Sequence, residues 1–234
     1  MIHRDLANTM NLRIFDTPQD ALAATARTII QRVNAGARTI ALSGGETPKP
    51  LYAALGASPL REELAEFPIT WIVVDERCVP IDHPDSNAGM MKKTLFANGI
   101  TPGHRFLRFR TELNDPAATA RAFEDDWRSL NLTTLDLVLL GMGDDGHTAS
   151  LFPGTPVLEV EDRIAAEVYV PRLDSWRVTL TKPVLRAATL RLVLAPGAKK
   201  KPVLEALQSG ADFPIAQVAG GVETWWMIDK DAAP

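Results

Sequence analysis

One cysteine, Cys78, stands among 234 residues, so no intrachain disulfide can form and the core has to be held by packing. Such usage fits a reducing compartment without excluding secretion, and a cytoplasmic protein is the default expectation. Long apolar runs are also missing. None approaches the roughly 20 residues of a membrane helix, and the opening stretch 1–10 has no apolar signal core. Neither sign of charge dominates: a net −4 removes any bulk electrostatic case for nucleic acid, so a basic site has to be local. Internal repeats, low-complexity tracts and linkers are absent, and the length suits one large domain spanning 1–234.

What is present is an alternation of apolar runs with capped helical stretches, the pattern of an α/β sheet. Residues 11–15, 39–42, 69–74, 135–140, 165–170, 176–181, 189–194 and 225–228 read as strands. Thr17, Pro18 and Asp20 supply an N-cap, a proline at the first helical position and an early acid, so a helix follows to about Val33, burying Leu22, Ala26, Ile29, Ile30 and Val33. Further helices are expected at 48–55, after a Ser58-Pro59 cap, at 86–96, at 115–130 and at 198–207. Phe123 and Trp127, four apart on one face, read as core. His83 and His104 lie in Pro/Gly-rich loops and read as surface residues, and the tail 229–234 as frayed.

Chemistry collects where three of the strands end. After 135–140 come Gly141, Gly143, Asp144, Asp145, Gly146 and His147. In open α/β sheets ligands bind beyond the carboxyl ends of strands, and these glycines let the main chain pass close to a substrate. A self-bonded aspartate turn is the competing reading. No Lys-Ser/Thr follows the glycines, so this is no P-loop, and one histidine without partners at ligand spacing is no zinc site. The second cluster is Ser43-Gly44-Gly45-Glu46-Thr47 between a strand and a helix, where paired glycines and free amides suit a phosphate. The third is Asp75-Glu76-Arg77, which by itself could be a rim salt bridge. Arg177 opens an alternating stretch, and Lys199, Lys200 and Lys201 sit at a helix start, where positive charge opposes the helix dipole and an anion would offset it.

Four segments resemble the 6-phosphogluconolactonases of the glucosamine-6-phosphate isomerase/6-phosphogluconolactonase family: Ser-Gly-Gly-Glu-Thr-Pro from Ser43, Trp-Ile-Val-Val-Asp-Glu-Arg-Cys-Val-Pro from Trp71 with Asp-Ser-Asn downstream, Leu-Gly-Met-Gly-Asp-Asp-Gly-His-Thr-Ala-Ser-Leu-Phe-Pro-Gly from Leu140, and Arg-Val-Thr-Leu from Arg177. They occur in the family's order. The related deaminases continue into Phe-Asn-Glu-Pro after the histidine, whereas Ser150-Leu151-Phe152-Pro153 stands here. The resemblance implies a Rossmann-like three-layer sandwich with a mostly parallel central sheet flanked by helices. It implies hydrolysis of 6-phospho-D-glucono-1,5-lactone, a step of the oxidative pentose phosphate pathway, with no metal or organic cofactor. The partner is a small sugar-phosphate lactone, with no nucleic acid and no membrane, and the chain a monomer or weak homo-oligomer. His147 is then general base and acid, an imidazole's ordinary pKa of about 6.5 suiting both roles, and Asp145 orients it. Ser43, Gly44, Gly45, Thr47, Arg177 and Lys200 form the phosphate set. Arg77 either joins it or polarises the lactone carbonyl, and Asp75, the base position in deaminases, binds sugar hydroxyls. A deaminase of the same fold and a sugar-phosphate sensing module without turnover are the rivals.

Overall fold

The structure, a computed structural model, describes residues 10–220 and 223–234; the first nine residues, on which the signal-peptide reading rests, lie outside it. Its strands are β1 (Asn11–Phe15), β2 (Thr39–Leu42), β3 (Thr70–Val73), β4 (Asp75–Arg77), β5 (Arg105–Leu107), β6 (Leu137–Leu140), β7 (Ala165–Val170), β8 (Ser175–Leu180), β9 (Leu190–Leu194) and β10 (Glu223–Asp229). Seven of them form a parallel sheet in the order β1-β10-β9-β6-β2-β3-β5. The other three form a small antiparallel sheet, β4-β8-β7. Every residue of β3, β6 and β9 is buried, which is why β3 and β6 read as nearly continuous apolar runs; the one charge in β9, Arg191, is satisfied by Thr224 Oγ1 and the Arg186 and Ala188 carbonyls.

Eight α-helices connect the described strands: α1 (Pro18–Asn34), α2 (Lys49–Leu55), α3 (Leu60–Ala65), α4 (Asn87–Lys93), α5 (Pro116–Ser129), α6 (Lys182–Arg186), α7 (Lys201–Gln208) and α8 (Pro214–Ala219). Side-chain caps start three of them. Thr17, Ser86 and Asp115 accept from the amides of Asp20, Gly89 and Ala118, each satisfying an N–H that the first helical turn leaves unbonded. α1 packs on β1, β9 and β10, and α5 lies against β7 and β8. Phe123 and Trp127 are buried on α5 as expected, Phe123 stacking on Phe109 with centroids 4.1 Å apart.

Two features of this topology place the site. Outward from β2 the sheet runs to β3 and β5, and outward from β6 to β9 and β10, so the order reverses between β2 and β6. A cleft opens beyond the carboxyl ends at such a reversal. The Ser43 amide donates to the Leu139 carbonyl across it. The second feature is Val74. Its N–H donates to Leu42 in the parallel sheet, while its carbonyl accepts from Leu180 in the antiparallel one, so the chain passes from one sheet to the other within one residue.

Several expectations are corrected. β5, α6 and α8 were not expected; each is short, and both helices open on proline-bearing turns. The Ser58 hydroxyl does not cap α3, whose N-cap position is Pro59 without a side-chain bond. His104 is half-buried: its Nδ1 accepts from Trp71 Nε1 at 3.0 Å and its Nε2 faces the Leu64 carbonyl at 3.0 Å. That pairing holds the neutral ring, and burial lowers its pKa. The tail is anchored, since Asp229 Oδ1 accepts from the amides of Gly197 and Ala232 and the Ala232 side chain is buried.

Candidate functional site

At the carboxyl end of β6 the backbone closes on itself. Gly143 N–H donates to the His147 carbonyl at 2.9 Å, Gly146 N–H donates to the Gly143 carbonyl at 3.0 Å, and Thr148 Oγ1 donates to the Gly141 carbonyl at 2.8 Å. A Cβ at Gly143 would fall inside the His147 ring and against Asp145 Oδ1. The glycine therefore admits the chain's own histidine, whereas the sequence reading had it admit a substrate. Asp145 Oδ1 meets His147 Nδ1 at 2.5 Å and also accepts from the His147 amide. Burial raises the Asp145 carboxyl, but the bonds and charge of His147 and the charge of Arg172 outweigh it and leave the pKa lowered. An ionised carboxylate on Nδ1 makes that nitrogen the donor and leaves Nε2 with its lone pair, the form a general base needs. The ring lies flat on Phe152, centroids 4.2 Å apart.

The end of β2 supplies the second wall. The Gly44 and Gly45 amides meet no protein acceptor among the described residues. Tyr52 Oη, buried on α2, donates to the Ser43 carbonyl at 2.6 Å and fixes the loop from behind. α2 itself offers little to an anion, because the Lys49 amide is bonded to Glu46 and Pro50 has none. The phosphate-binding amides expected at this junction are thus those of the loop rather than of the helix end. A side chain at Gly44 would collide with Asn87, the first residue of α4.

β4 and β8 bring the third wall. Arg77 and Arg177 are directly opposite each other in the antiparallel pair. Arg77 Nη1 donates to the Asp85 carbonyl at 2.6 Å and to Asn87 Oδ1 at 3.0 Å. The Nε atoms of both arginines are buried without a partner, and among the described residues the Arg177 side chain makes no hydrogen bond or ion pair, its guanidinium lying 5.6 Å from the centre of the Phe152 ring. Burial and then the charge of Arg77 lower the Arg177 pKa. The charges of Asp75, Asp85 and Glu76 oppose these effects, but none of these carboxylates is in ion-pair contact with either guanidinium, so the repulsion between the two cations favours an incoming anion. Asp75, also buried, accepts from Ser150 Oγ at 2.7 Å, and its carbonyl accepts from Asn87 Nδ2 at 2.7 Å. Glu76 faces away from this wall: its carboxylate accepts from the amides of Arg77, Asn87 and Ala88 and from Ser86 Oγ, anchoring the start of α4.

One cavity of about 270 Å³ gathers Ser43, Gly44, Gly45, Thr47, Asp75, Arg77, His147, Arg177 and Lys200. Of the expected site residues only Asp145 does not line it; it stands behind His147. Asn87 was read from sequence only as a helix start, yet it lines the cavity and bonds both Arg77 and Asp75. Among the described residues no group of three or more His, Cys, Asp or Glu side chains converges as a metal site requires. The family model described as "Glucosamine-6-phosphate isomerases/6-phosphogluconolactonase" matches residues 14–226.

The chain belongs to that family.

Within the glucosamine-6-phosphate isomerase/6-phosphogluconolactonase family its relatives carry the lactonase name. It is 38% identical over 208 residues to a 6-phosphogluconolactonase of Nostoc sp., covering 84% of each chain. A 6-phosphogluconolactonase of Aggregatibacter actinomycetemcomitans is 32% identical over 232 residues, covering 96% of this chain and 99% of that one. The solved 6-phosphogluconolactonase from Trypanosoma cruzi superposes with a TM-score of 0.83 at 27% identity, covering 96% of both. The fold is the family's α/β architecture, and no helix among the described residues is long and apolar enough to cross a membrane.

One contact in this family member bears on how the cavity fills. Lys200 Nζ sits 2.6 Å from Asp144 Oδ1, and that bond with the lysine charge lowers the Asp144 pKa despite some desolvation. The anion found at the lysine-bearing helix start is the protein's own carboxylate. A phosphate bound there would share the ammonium with it. Asp144 is largely exposed, so the competition amounts to about 0.5 kcal/mol, the usual value of a surface pair. Asp144→Asn is therefore expected to lower the Michaelis constant for a phosphorylated substrate about twofold. Steady-state kinetics would check this, and a raised constant would make Asp144 a support for Lys200 instead of a competitor.

Proposed function

We propose that this chain hydrolyses 6-phospho-D-glucono-1,5-lactone to 6-phosphogluconate, with His147 moving the protons. The observation that carries the reading is a single cavity holding an Asp145-backed His147 together with Lys200 and an arginine pair that no carboxylate contacts directly. Phosphate goes to Arg177, Lys200 and the Gly44 and Gly45 amides, with Arg77 adding charge beside Arg177. Nε2 of His147 takes a proton from water as its oxygen attacks the lactone carbonyl. The C1–O5 bond then breaks, and the imidazolium returns that proton to the departing ring oxygen, so the histidine ends as it began. Asp145 holds the ring and stabilises the imidazolium between the two transfers. Asp75 accepts from sugar hydroxyls with the carboxylate oxygen that Ser150 leaves open.

Phe152 supports this reading over amine release. The deaminases place an acid just after the histidine for ring opening, whereas here Phe152 occupies the segment and stacks beneath the imidazole. The deciding experiment is lactone hydrolysis by purified protein without added metal, on freshly generated substrate with spontaneous opening subtracted, beside an ammonia assay on glucosamine 6-phosphate. Enzyme-dependent acid release and no ammonia are expected. Ammonia release would move the chain to the deaminases, and ligand binding with neither product would make it a sensor.

A further inference from the structure

Both oxygens of Asp145 are engaged, and only one of them by His147. Asp145 Oδ2 pairs with Arg172 Nη2 at 2.6 Å. Arg172 comes from the turn Pro171–Leu173 joining β7 to β8, which is closed by Asp174 in the left-handed region at φ 44°. Its guanidinium also lies 5.0 Å from the centre of the Phe152 ring, on which His147 stacks. Arg172 and His147 thus share two partners, a carboxylate and an aromatic ring. We infer that Arg172 is a positioning residue for the hydrolysis, holding Asp145 and setting through it how readily the His147 ring gives up its proton.

The inference rests on His147 being the proton carrier proposed above. A carboxylate in two charge-assisted bonds divides its field between them. The imidazolium therefore gains less from Asp145 than it would from an unshared carboxylate, and Arg172 adds a like charge nearby. Both effects favour the neutral, basic ring. Other charges around it are Asp144 on its own loop, Arg177 on β8, Asp75 and Arg77 on β4, and Lys199 and Lys200 after β9. Asp212 precedes Phe213, which packs over Gly146. Among the described residues the cation on Asp145 Oδ2 is Arg172. Half-exposure of the Arg172 side chain weakens its field by solvent screening, so the expected shift is moderate.

Two variants and two readouts test this. Arg172→Gln removes the charge and Arg172→Lys keeps it. In the full-length protein, turnover is measured from about pH 5.5 to 8 with spontaneous opening subtracted, and the His147 ring is titrated by proton NMR without ligand. In Arg172→Gln the acidic limb of kcat and the NMR midpoint are expected to rise together by about half to one pH unit. Turnover near pH 6 then falls about three- to tenfold while turnover near pH 8 changes less than about twofold, and Arg172→Lys restores most of both. A loss of kcat equal at every pH, or an unmoved midpoint, overturns the inference and leaves Arg172 a surface residue. A midpoint that moves while the rate profile stays in place instead fells His147 as the proton carrier, with the electrostatic link to Arg172 intact.

Discussion

Replacing His147 with alanine is expected to lower kcat on 6-phosphogluconolactone by about 10²- to 10⁴-fold, the usual contribution of a positioned general acid–base. The product 6-phosphogluconate should bind nearly as before. His147 is held by Asp145 and stacks on Phe152, and the cations assigned to phosphate come from other elements, β4, β8 and the segment after β9, with the Arg177 guanidinium 5.6 Å from the centre of the Phe152 ring. Removing the ring takes away the proton carrier and leaves the anion site standing. Stopped-flow or pH-indicator kinetics with calorimetric titration of the product would read the two effects separately. Turnover within about tenfold of wild type would remove His147 from the mechanism. Loss of product binding in parallel would show that the ring is part of the binding surface.

The second large effect is expected at Arg177. A charge-assisted hydrogen bond contributes about 1.5–3 kcal/mol, so Arg177→Met should lower kcat/KM for the phosphorylated lactone by about 10- to 150-fold. On glucono-1,5-lactone, which has no phosphate, the change should be small. Arg177 has no hydrogen-bonded partner to strand, and its removal relieves the repulsion with Arg77, so the free protein should keep its melting temperature. What it should lose is stabilisation by ligand, which in the wild type reaches about 2.7 kcal/mol at a hundredfold excess of ligand over Kd. Equal losses on both lactones would place Arg177 at the reacting carbonyl and not at the phosphate.

Much of this architecture was legible in the chain. Strands β2, β3, β6 and β9 are buried on both faces along most or all of their length and so announce themselves by mostly apolar residues, and α1, α4 and α5 begin at Thr17, Ser86 and Asp115 by ordinary capping chemistry. What escaped lacks a local signal. β4 consists of Asp75, Glu76 and Arg77, three charged residues that no propensity assigns to a strand; they pair only because β8 lies alongside. Glu76 looked like rim charge, yet it is buried under the start of α4 because its partners are amides brought there by the turn of the chain. The tail looked frayed because Asp229 and Ala232 find their contacts through tertiary packing.

The same division separates the site residues. Ser43, Gly44, Gly45, Asp145 and His147 were readable from glycine-rich stretches following apolar runs. Asn87 and Arg172 were not. Asn87 is one helix-opening residue among several, and its part follows from bonds to β4 and from the space that Gly44 leaves. Arg172 is a half-exposed arginine in a turn, distinguished only by its contact with the carboxylate behind the histidine.

Val74, bonded to Leu42 on one side and to Leu180 on the other, sits where the two sheets meet. The parallel sheet ends in the histidine loop and the Ser43-Gly44-Gly45 turn; the hairpin sheet brings Arg77 and Arg177. A change in the hairpin therefore alters the arginine wall of the cavity and leaves the parallel strand ends in place. The two sheets reach one cavity from separate supports, bridged at the histidine loop by Ser150, which bonds Asp75 of β4 and Thr179 of β8.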